Sequence, residues 1–186
     1  MLFRLLAIPN LNFYVNASLA RHTRFEIGGP ARLLADASTE TALIETLRAI
    51  EQSGWRHTVI GGGSNLIVDD AGFYGAAVRY IARGIQIDGV NVQVDAGAVL
   101  QDVVDATIAS GLRGLETMTG IPGWVGGAIY GNAGAYGHSI NERVVSVRFF
   151  DGSHIHETQE IREIDNAACE FRYRESIFKR KKDWII

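Results

Sequence analysis

The sequence has few of the features that mark disulfide-bonded, membrane-spanning or nucleic-acid-binding proteins. One cysteine, Cys169, occurs in 186 residues, which excludes a disulfide within the chain and predicts a reducing compartment and a small buried side chain. No apolar run approaches the ~18 residues of a membrane span, and the apolar start over residues 1–9 is too short for an export signal. The formal net charge of −3 creates no field that would attract nucleic acid. We therefore expect a soluble, cytoplasmic protein without membrane or nucleic-acid partners.

Metal-binding patterns are also missing. His154 and His156 are two residues apart on an apparent strand, and the other histidines, His22, His57 and His138, are scattered. Neither arrangement is typical of a metal site, so we expect no metal.

A glycine-rich loop is the most informative feature that the sequence does contain. It follows the β-favouring run of residues 55–60 and consists of Gly61, Gly62, Gly63, Ser64, Asn65 and Leu66. Glycines let main-chain N–H groups approach a ligand closely, and converging N–H dipoles can hold an anion such as a diphosphate. Alone, such a loop is more often a tight turn at a strand end, but a second glycine-dense segment favours a cofactor.

Two common phosphate-binding loops differ from this one. The loop of ATP-binding proteins ends in Gly-Lys-Ser/Thr, whereas Ser64 and Asn65 follow Gly63 here. The dinucleotide fingerprint G-x-G-x-x-G would need a glycine in place of Leu66 and a helix running on from the loop. The sequence therefore excludes an ATP-type loop and an ordinary nicotinamide-binding Rossmann site.

The first part of the chain, residues 1–83, is predicted to form a βαβ lobe. A strand over 31–35 precedes a helix that begins after Ser38 or Thr39 and ends at Gly54, and a strand over 55–60 follows. The apolar face of the helix carries Leu43, Ile44, Leu47 and Ile50. The two strands should be parallel, which places the glycine loop at a carboxyl end, where ligands of open α/β sheets gather.

Residues 84–186 are predicted to form a second, mainly antiparallel lobe with helices, so the fold class is α+β. A hairpin turns at Asp88-Gly89, a strand over 145–149 leads to Asp151-Gly152, and residues 154–156 begin its return strand. A second helix, stopped by Gly111, carries Leu100, Val103, Val104, Thr107 and Ile108. The terminal run 184–186 is typical of the opening of a strand, so we expect the chain to be cut short.

The second glycine-dense segment covers residues 120–137 and holds seven glycines in eighteen residues. Apolar and aromatic residues are interleaved throughout, which distinguishes it from a flexible linker. Small residues at this density indicate backbone packed closely against another element or against a flat ligand, and two such segments in one short chain favour the ligand.

Five motifs, in this order, resemble the MurB family of UDP-N-acetylenolpyruvoylglucosamine reductases, in its shorter type. They are TRFEIGGPA (23–31), GGGSNL (61–66), GIPGWVGGA (120–128), NAGAYG (132–137) and FRYRESIFK (171–179). Each motif alone is weak, but five in register are specific. The resemblance extends over residues 16–186.

The resemblance implies a two-lobed FAD-binding domain of the vanillyl-alcohol-oxidase (PCMH) type, with noncovalent FAD, NADPH as hydride donor and a nucleotide-sugar substrate. The Gly61–Leu66 loop would take the diphosphate. The flavin and the diphosphate, between the lobes, would be lined by Ile121, Pro122, Gly123, Gly126, Gly127, Ala128, Asn132, Ala133, Gly134, Ala135, Tyr136 and Gly137. No histidine stands where covalent flavin attachment would be expected, and no pattern indicates an oligomeric state.

The resemblance also implies a catalytic role for Arg174. In the family, hydride passes from the flavin to the enolpyruvyl β-carbon, and negative charge develops next to the substrate carboxylate, where an arginine stabilises it. Arg174 matches that position, and Tyr173 beside it is expected to assist substrate binding. Without the resemblance, Arg174 would be interpreted as a surface or salt-bridging arginine. The basic run 179–182 is interpreted as a solvated turn rather than a phosphate site.

The family's third region, which supplies a proton-donating serine and an assisting glutamate, has no counterpart here, and Ser176 belongs to the arginine motif. We therefore expect this chain to be the FAD-binding part of the enzyme and inactive by itself. Two alternatives stay open. One is another flavin-linked oxidoreductase, such as an alcohol or hydroxy-acid oxidase, although the motifs around Arg174 and at 132–137 speak against it. The other is a non-catalytic FAD-binding remnant.

Overall fold

The computed structural model describes residues 2–154 and 161–186. The chain divides into two compact units, Met1–Ala82 and Arg83–Ile186, and each is described by itself. Within the described ranges, no helix is both long and apolar enough to cross a membrane.

The first unit is built on a four-stranded mixed sheet. Its elements are α1 (Leu2–Leu6), β1 (Leu11–Ser18), β2 (Pro30–Ala37), α2 (Glu40–Gln52), β3 (His57–Val59) and β4 (Phe73–Tyr80). The strands lie in the order β1-β2-β4-β3. β1 is antiparallel to β2, whereas β2, β4 and β3 run parallel, so the carboxyl ends of these three strands point towards the same edge of the sheet.

The patterns that predict β2 and α2 are confirmed. Residues 33–35 of β2 are fully buried, and a continuous apolar run is typical of a parallel strand covered on both faces. α2 is capped by Thr39, whose Oγ1 accepts a hydrogen bond from Ala42 N at 3.1 Å, and Gly54 follows it at φ +69°. On the predicted face, Ile44 is half-buried. The other three residues, Leu43, Leu47 and Ile50, are buried.

The two predicted strands are parallel but are not neighbours, because β4 lies between β2 and β3. The sequence pattern predicts neither β4 nor β1. In β4, residues 75–77 are Gly-Ala-Ala, which have low β propensity, and it is burial of Ala76 and Ala77 in the sheet that fixes their conformation. In β1, Tyr14 and Val15 are consecutive and both exposed, so no alternation marks the strand.

The second unit combines short helices with antiparallel strand pairs. Its elements are β5 (Ile85–Asp88), β6 (Asn91–Val94), α3 (Leu100–Ala109), α4 (Val125–Tyr130), β7 (Gly134–Ala135), β8 (His138–Ser139), β9 (Ser146–Asp151), β10 (Ile161–Asp165), α5 (Ile177–Arg180) and β11 (Trp184–Ile185). β5 pairs with β6, β7 pairs with β8, and β9 lies between β10 and β11.

An aromatic cluster fixes the last segment of the chain in this unit. Trp184 stacks on Phe149 with ring centroids 4.3 Å apart, and Phe178 lies edge-on to Phe149 at 5.6 Å. The strand expected at residues 184–186 is confirmed as β11, which pairs with β9. The FRYRESIFK motif therefore leads directly into a packed core, since its Phe178 is fully buried.

Two predictions for this unit need correction. The hairpin reverses at residues 89–90, one position later than predicted, because Asp88 pairs with Asn91. Ile108 was expected on the buried face of α3 but is 51% exposed. It lies in the last turn, beside the stripe at positions i, i+3, i+4 and i+7 that is buried.

The strand predicted at 145–149 begins one residue later, at Ser146, and Val145 is exposed. Its return strand was expected to begin at residues 154–156. Ile155 and His156 lie outside the described residues, and His154 belongs to a short 3₁₀ turn. The strand that pairs with β9 after them is β10.

Candidate functional site

The glycine loop of the first unit follows β3 at its carboxyl end, as predicted. Gly63 has φ +67°, a conformation that favours glycine. A Cβ atom at this position would overlap the carbonyl oxygen of His22, and the Gly63 carbonyl accepts a hydrogen bond from Arg24 N at 3.1 Å. The loop therefore packs directly against residues 22–24, and that packing requires glycine.

The backbone amides of this loop suit an anion. No acceptor for the amides of residues 61–66 is found in the part of the chain that the structure describes. The loop carries no acidic side chain, and most of its residues are half-buried. Backbone amides without a protein acceptor can donate to an anion, so the residues present are compatible with a diphosphate.

A partly buried cluster of Arg79, Asp36 and His22 lies beside the loop, in the same unit. Arg79 donates from Nε and Nη2 to the two carboxylate oxygens of Asp36, at 2.7 and 2.6 Å. Its Nη1 lies 2.9 Å from Nδ1 of His22. Because a guanidinium can only donate, His22 accepts at Nδ1 and is held neutral. Burial, reinforced by the positive charge of Arg79, lowers the pKa of His22 below its usual 6.5.

The cluster borders a pocket of about 530 Å³ that Tyr14, Asn16 and Arg21 also line. The sequence gives only a weak signal for it, since Asp36 and Arg79 are isolated charges near the ends of apolar strands.

The glycines of the second segment, in the second unit, serve different purposes. Gly126 N donates to the carbonyl of Ala96 at 2.8 Å, and a Cβ at Gly126 would lie 3.0 Å from the Cβ of Ala96. Gly134 has a comparable constraint, because a Cβ there would overlap the backbone of His138. Gly127, by contrast, faces open space in α4. Close packing explains the first two glycines but not Gly127.

Asn132 connects the second glycine segment to the arginine motif. It is 6% exposed, has φ +43°, and donates from Nδ2 to the carbonyl of Arg172 at 2.9 Å. Its Oδ1 accepts from Asn141 N at 3.3 Å. Both ends of the side-chain amide are therefore used within the protein.

A surface pocket of about 580 Å³ brings the predicted cofactor and catalytic residues of this unit together. From the glycine segment it is lined by Asn132, Gly134, Ala135, Tyr136 and Gly137. From the arginine motif it is lined by Phe171, Arg172, Tyr173 and Arg174. The structure thus places both predicted catalytic-motif residues, Tyr173 and Arg174, against the 132–137 segment.

Arg174 is presented on a tight turn. Arg172 and Glu175 exchange two backbone hydrogen bonds of 3.0 Å, which leaves Tyr173 and Arg174 as the two residues at the tip. Arg174 has φ +55°, and its Nη2 donates to the carbonyl of Gly134 at 3.1 Å. The Tyr173 side chain is 89% exposed, so both side chains are accessible to a ligand.

Other predicted residues of the second unit lie outside this pocket. Ile121, Ala128 and Ala133 pack into the apolar core, while Pro122 and Gly127 are exposed and Gly123 is half-buried. The loop residues Gly61 to Leu66 belong to the first unit.

His138 and Asn141, which no predicted site includes, also line the pocket. His138 Nδ1 lies 3.0 Å from the carboxylate of Glu142. The pKa of Glu142 is lowered by its hydrogen bonds with His138 and with the Ser139 amide. Ser139 and Glu142 form a capping box. The spacing S-x-x-E could have revealed this turn, because it is the pattern of such a box.

The described residues contain no group of three or more His, Cys, Asp or Glu side chains that could hold a metal ion. The single cysteine, Cys169, is fully buried, and burial raises the pKa of its thiol to about 11.

Comparison with known proteins defines the class. Residues 31–156 match the family model described as an FAD binding domain, so the chain belongs to this family of FAD-binding domains. Berberine bridge enzyme, 17% identical over 88% of this chain, superimposes with a TM-score of 0.66. At that identity the likeness shows the fold alone, which is the α+β FAD-binding fold expected from the sequence.

Proteins with higher sequence identity to this chain are UDP-N-acetylenolpyruvoylglucosamine reductases, and they confirm the resemblance to the MurB family inferred from the motifs. UDP-N-acetylenolpyruvoylglucosamine reductase of Solibacter usitatus is 55% identical over 183 residues, which are 98% of this chain and 57% of that protein. The crystal structure of MurB from Thermus caldophilus is 30% identical, with a TM-score of 0.70, over 89% of this chain and 56% of that one. The chain therefore spans little more than half the length of these relatives.

Proposed function

We propose that this chain is the FAD-binding part of a cytoplasmic enzyme that reduces UDP-N-acetylglucosamine enolpyruvate to UDP-N-acetylmuramate with NADPH, in peptidoglycan synthesis. The observation that carries the proposal is the pocket that brings Tyr173 and Arg174 against residues 132–137. The relatives described above are called UDP-N-acetylenolpyruvoylglucosamine reductases, and the Solibacter usitatus protein is 55% identical over 183 residues.

The residues proposed to hold FAD are those of the two glycine segments. The amides of Gly61 to Leu66 would bind the diphosphate, since they lack protein acceptors among the described residues. Around the flavin we propose residues 121–123, 126–128 and 132–137. Of these, Gly127 and Gly137 leave open space where a Cβ would stand. FAD, when bound, supplies the transfer of hydride from NADPH to the enolpyruvyl group.

Arg174 would bind the carboxylate of the enolpyruvyl group. One of its five N–H groups donates to Gly134, and the exposed position leaves the others for a planar, bidentate contact. As hydride adds to the β-carbon, negative charge develops beside the carboxylate, and a fixed guanidinium stabilises it without reorganisation. Tyr173, on the same turn and exposed, would contact the substrate beside Arg174.

The test is anaerobic rapid mixing of the FAD-loaded chain with NADPH, followed by the enolpyruvyl substrate. We expect NADPH to bleach the flavin absorbance. An oxidase of the same fold would instead resist NADPH and react with an alcohol and oxygen, and a non-catalytic remnant would do neither. Because the chain covers 57% of its relative, we expect the substrate to restore no absorbance when the chain is alone. Rapid restoration by substrate would contradict that expectation.

A further inference from the structure

The turn that carries Arg174 has an unfavourable backbone conformation. Arg174 lies at φ +55°, in the left-handed region that glycine or asparagine usually occupies in a two-residue turn. Such a residue stays there only when its surroundings fix it. Neighbouring groups must therefore hold Tyr173 and Arg174 in this turn.

Lys179 makes the direct contact. Its Nζ donates to the carbonyl oxygen of Arg174 at 2.6 Å. The same ammonium lies 4.0 Å from the carboxylate of Glu175 and 5.9 Å from the ring centre of Tyr130. Each partner is an acceptor or a π face that favours a cation, so the ammonium has one short hydrogen bond, to the Arg174 carbonyl, and two longer favourable contacts.

Lys179 differs in this respect from the rest of the basic run. It is half-buried, whereas Arg180, Lys181 and Lys182 are exposed. Its position is fixed, because α5 begins after Ser176, whose buried hydroxyl donates to the carbonyl of Tyr130 at 2.8 Å. A solvated turn, the interpretation that the sequence favours, describes Lys181 and Lys182. Arg180 is exposed but belongs to α5 and pairs with Glu170, and Lys179 is half-buried.

We propose that Lys179 is a positioning residue for Arg174. Its ammonium holds the Arg174 carbonyl and so keeps the turn in the conformation that directs the guanidinium into the pocket. This proposal rests on the proposed function, in which Arg174 binds the substrate carboxylate. Lys179 itself contacts no substrate in it.

Amide hydrogen exchange on the ¹⁵N-labelled chain tests the proposal without any ligand. Lys179→Met keeps the aliphatic stem and removes the ammonium. We expect hydrogen exchange at the Glu175 and Arg172 amides to accelerate about tenfold, because the variant loses one charge-assisted hydrogen bond that holds the turn. The amides of Phe149 and Phe150 in β9 should exchange as before. Lys179→Arg should restore protection, and Lys182→Met, the matched surface control, should change nothing.

Unchanged exchange at both turn amides in Lys179→Met would overturn the proposal. So would failure of Lys179→Arg to restore protection, since the role assigned to Lys179 requires only a cationic donor at that place. Acceleration in β9 as well would indicate general destabilisation, and would equally overturn a positioning role.

A second measurement links the turn to carboxylate binding. Phosphoenolpyruvate, a small enolpyruvyl carboxylate, is titrated while the Arg174 side-chain Nε resonance is followed. We expect a saturable shift in the wild-type chain, a several-fold weaker affinity in Lys179→Met, and wild-type affinity in Lys182→Met. Equal affinity in Lys179→Met and wild type would contradict the proposal. If the wild-type resonance does not respond, the failure lies with the proposed role of Arg174, while the exchange experiment still decides the role of Lys179.

Discussion

Three residues with a left-handed backbone that are not glycine line one pocket. Asn132, Tyr136 and Arg174 have φ +43°, +53° and +55°. Each such position carries an energetic cost of the order of 1–3 kcal/mol. Glycine would avoid that cost, so its absence indicates that the side chain at the position is needed. Three of the seven such positions among the described residues lie at the pocket that holds Arg174.

Asn132 should be sensitive to loss of its amide. Asn132→Ala removes the hydrogen bonds to Arg172 and Asn141. It also leaves an alanine at φ +43°, where the side-chain hydrogen bonds of asparagine no longer offset the backbone strain. We expect the free energy of unfolding to fall by about 2–3 kcal/mol. Asn132→Gly, which relieves the backbone, should lose less. Urea unfolding of the two variants measures the difference, and an alanine variant as stable as wild type would contradict the role of the amide.

His22 predicts a pH-dependent stability. Its pKa is lowered in the folded state by burial and by Arg79, so the unfolded chain binds more protons around its ordinary pKa of 6.5. The stabilisation is therefore present above pH 6.5 and is lost as the pH falls through the folded-state pKa. Unfolding free energy measured from about pH 8 to pH 5 should decline.

The control is His22→Gln, whose side-chain oxygen can accept from Arg79 but does not titrate. It should show a shallower decline over the same range, because the contribution of His22 is removed while every other titratable group is retained. Identical pH profiles of the wild type and His22→Gln would show that His22 titrates alike in the folded and unfolded chains.

At the scale of elements, α4 contains two adjacent glycines in different environments. Gly126 is closely packed, and Gly127 faces open space. In Gly126→Ala the new Cβ would lie 3.0 Å from the Cβ and 3.2 Å from the carbonyl oxygen of Ala96. Because Ala96 is tied to residue 126 by the hydrogen bond from Gly126 N to its carbonyl, it can move little, and we expect the fold to lose stability. Gly127→Ala meets no atom within 4 Å, and alanine favours a helix over glycine by roughly 0.5–1 kcal/mol. We expect Gly127→Ala to be as stable as wild type or more stable, and yet to bind FAD more weakly.

Thermal unfolding and FAD titration of both variants measure these effects. FAD affinity unchanged in Gly127→Ala would remove α4 from the proposed flavin site and leave its second glycine without an explanation.

Elements with a strong local pattern could be predicted, and elements fixed by tertiary packing could not. α2 has a cap at Thr39 and a buried stripe, so its bounds follow from the sequence. β4, with Gly-Ala-Ala at 75–77, is a strand because it is inserted between β2 and β3. Likewise the glycine loop can be recognised from its composition. The contact of Lys179 with Arg174 cannot be predicted, because it depends on a turn at positive φ that no periodicity indicates.

At the scale of the whole chain, each unit contributes different residues to the proposed FAD and substrate sites. The first supplies six amides without acceptors in the described residues, and the second supplies the pocket with Arg174. The relatives are longer, since the chain covers 57% of the Solibacter usitatus protein and 56% of the Thermus caldophilus structure. On the proposed function, we expect this chain to bind FAD by itself without a covalent bond, and we do not expect turnover.

The most direct measurement is the visible absorbance spectrum of the purified chain, with the bound cofactor released by heat and identified. We expect flavin absorbance bands and, after heating, free FAD in the supernatant with none left on the protein. A colourless protein that also fails to take up added FAD would contradict the proposed FAD-binding function.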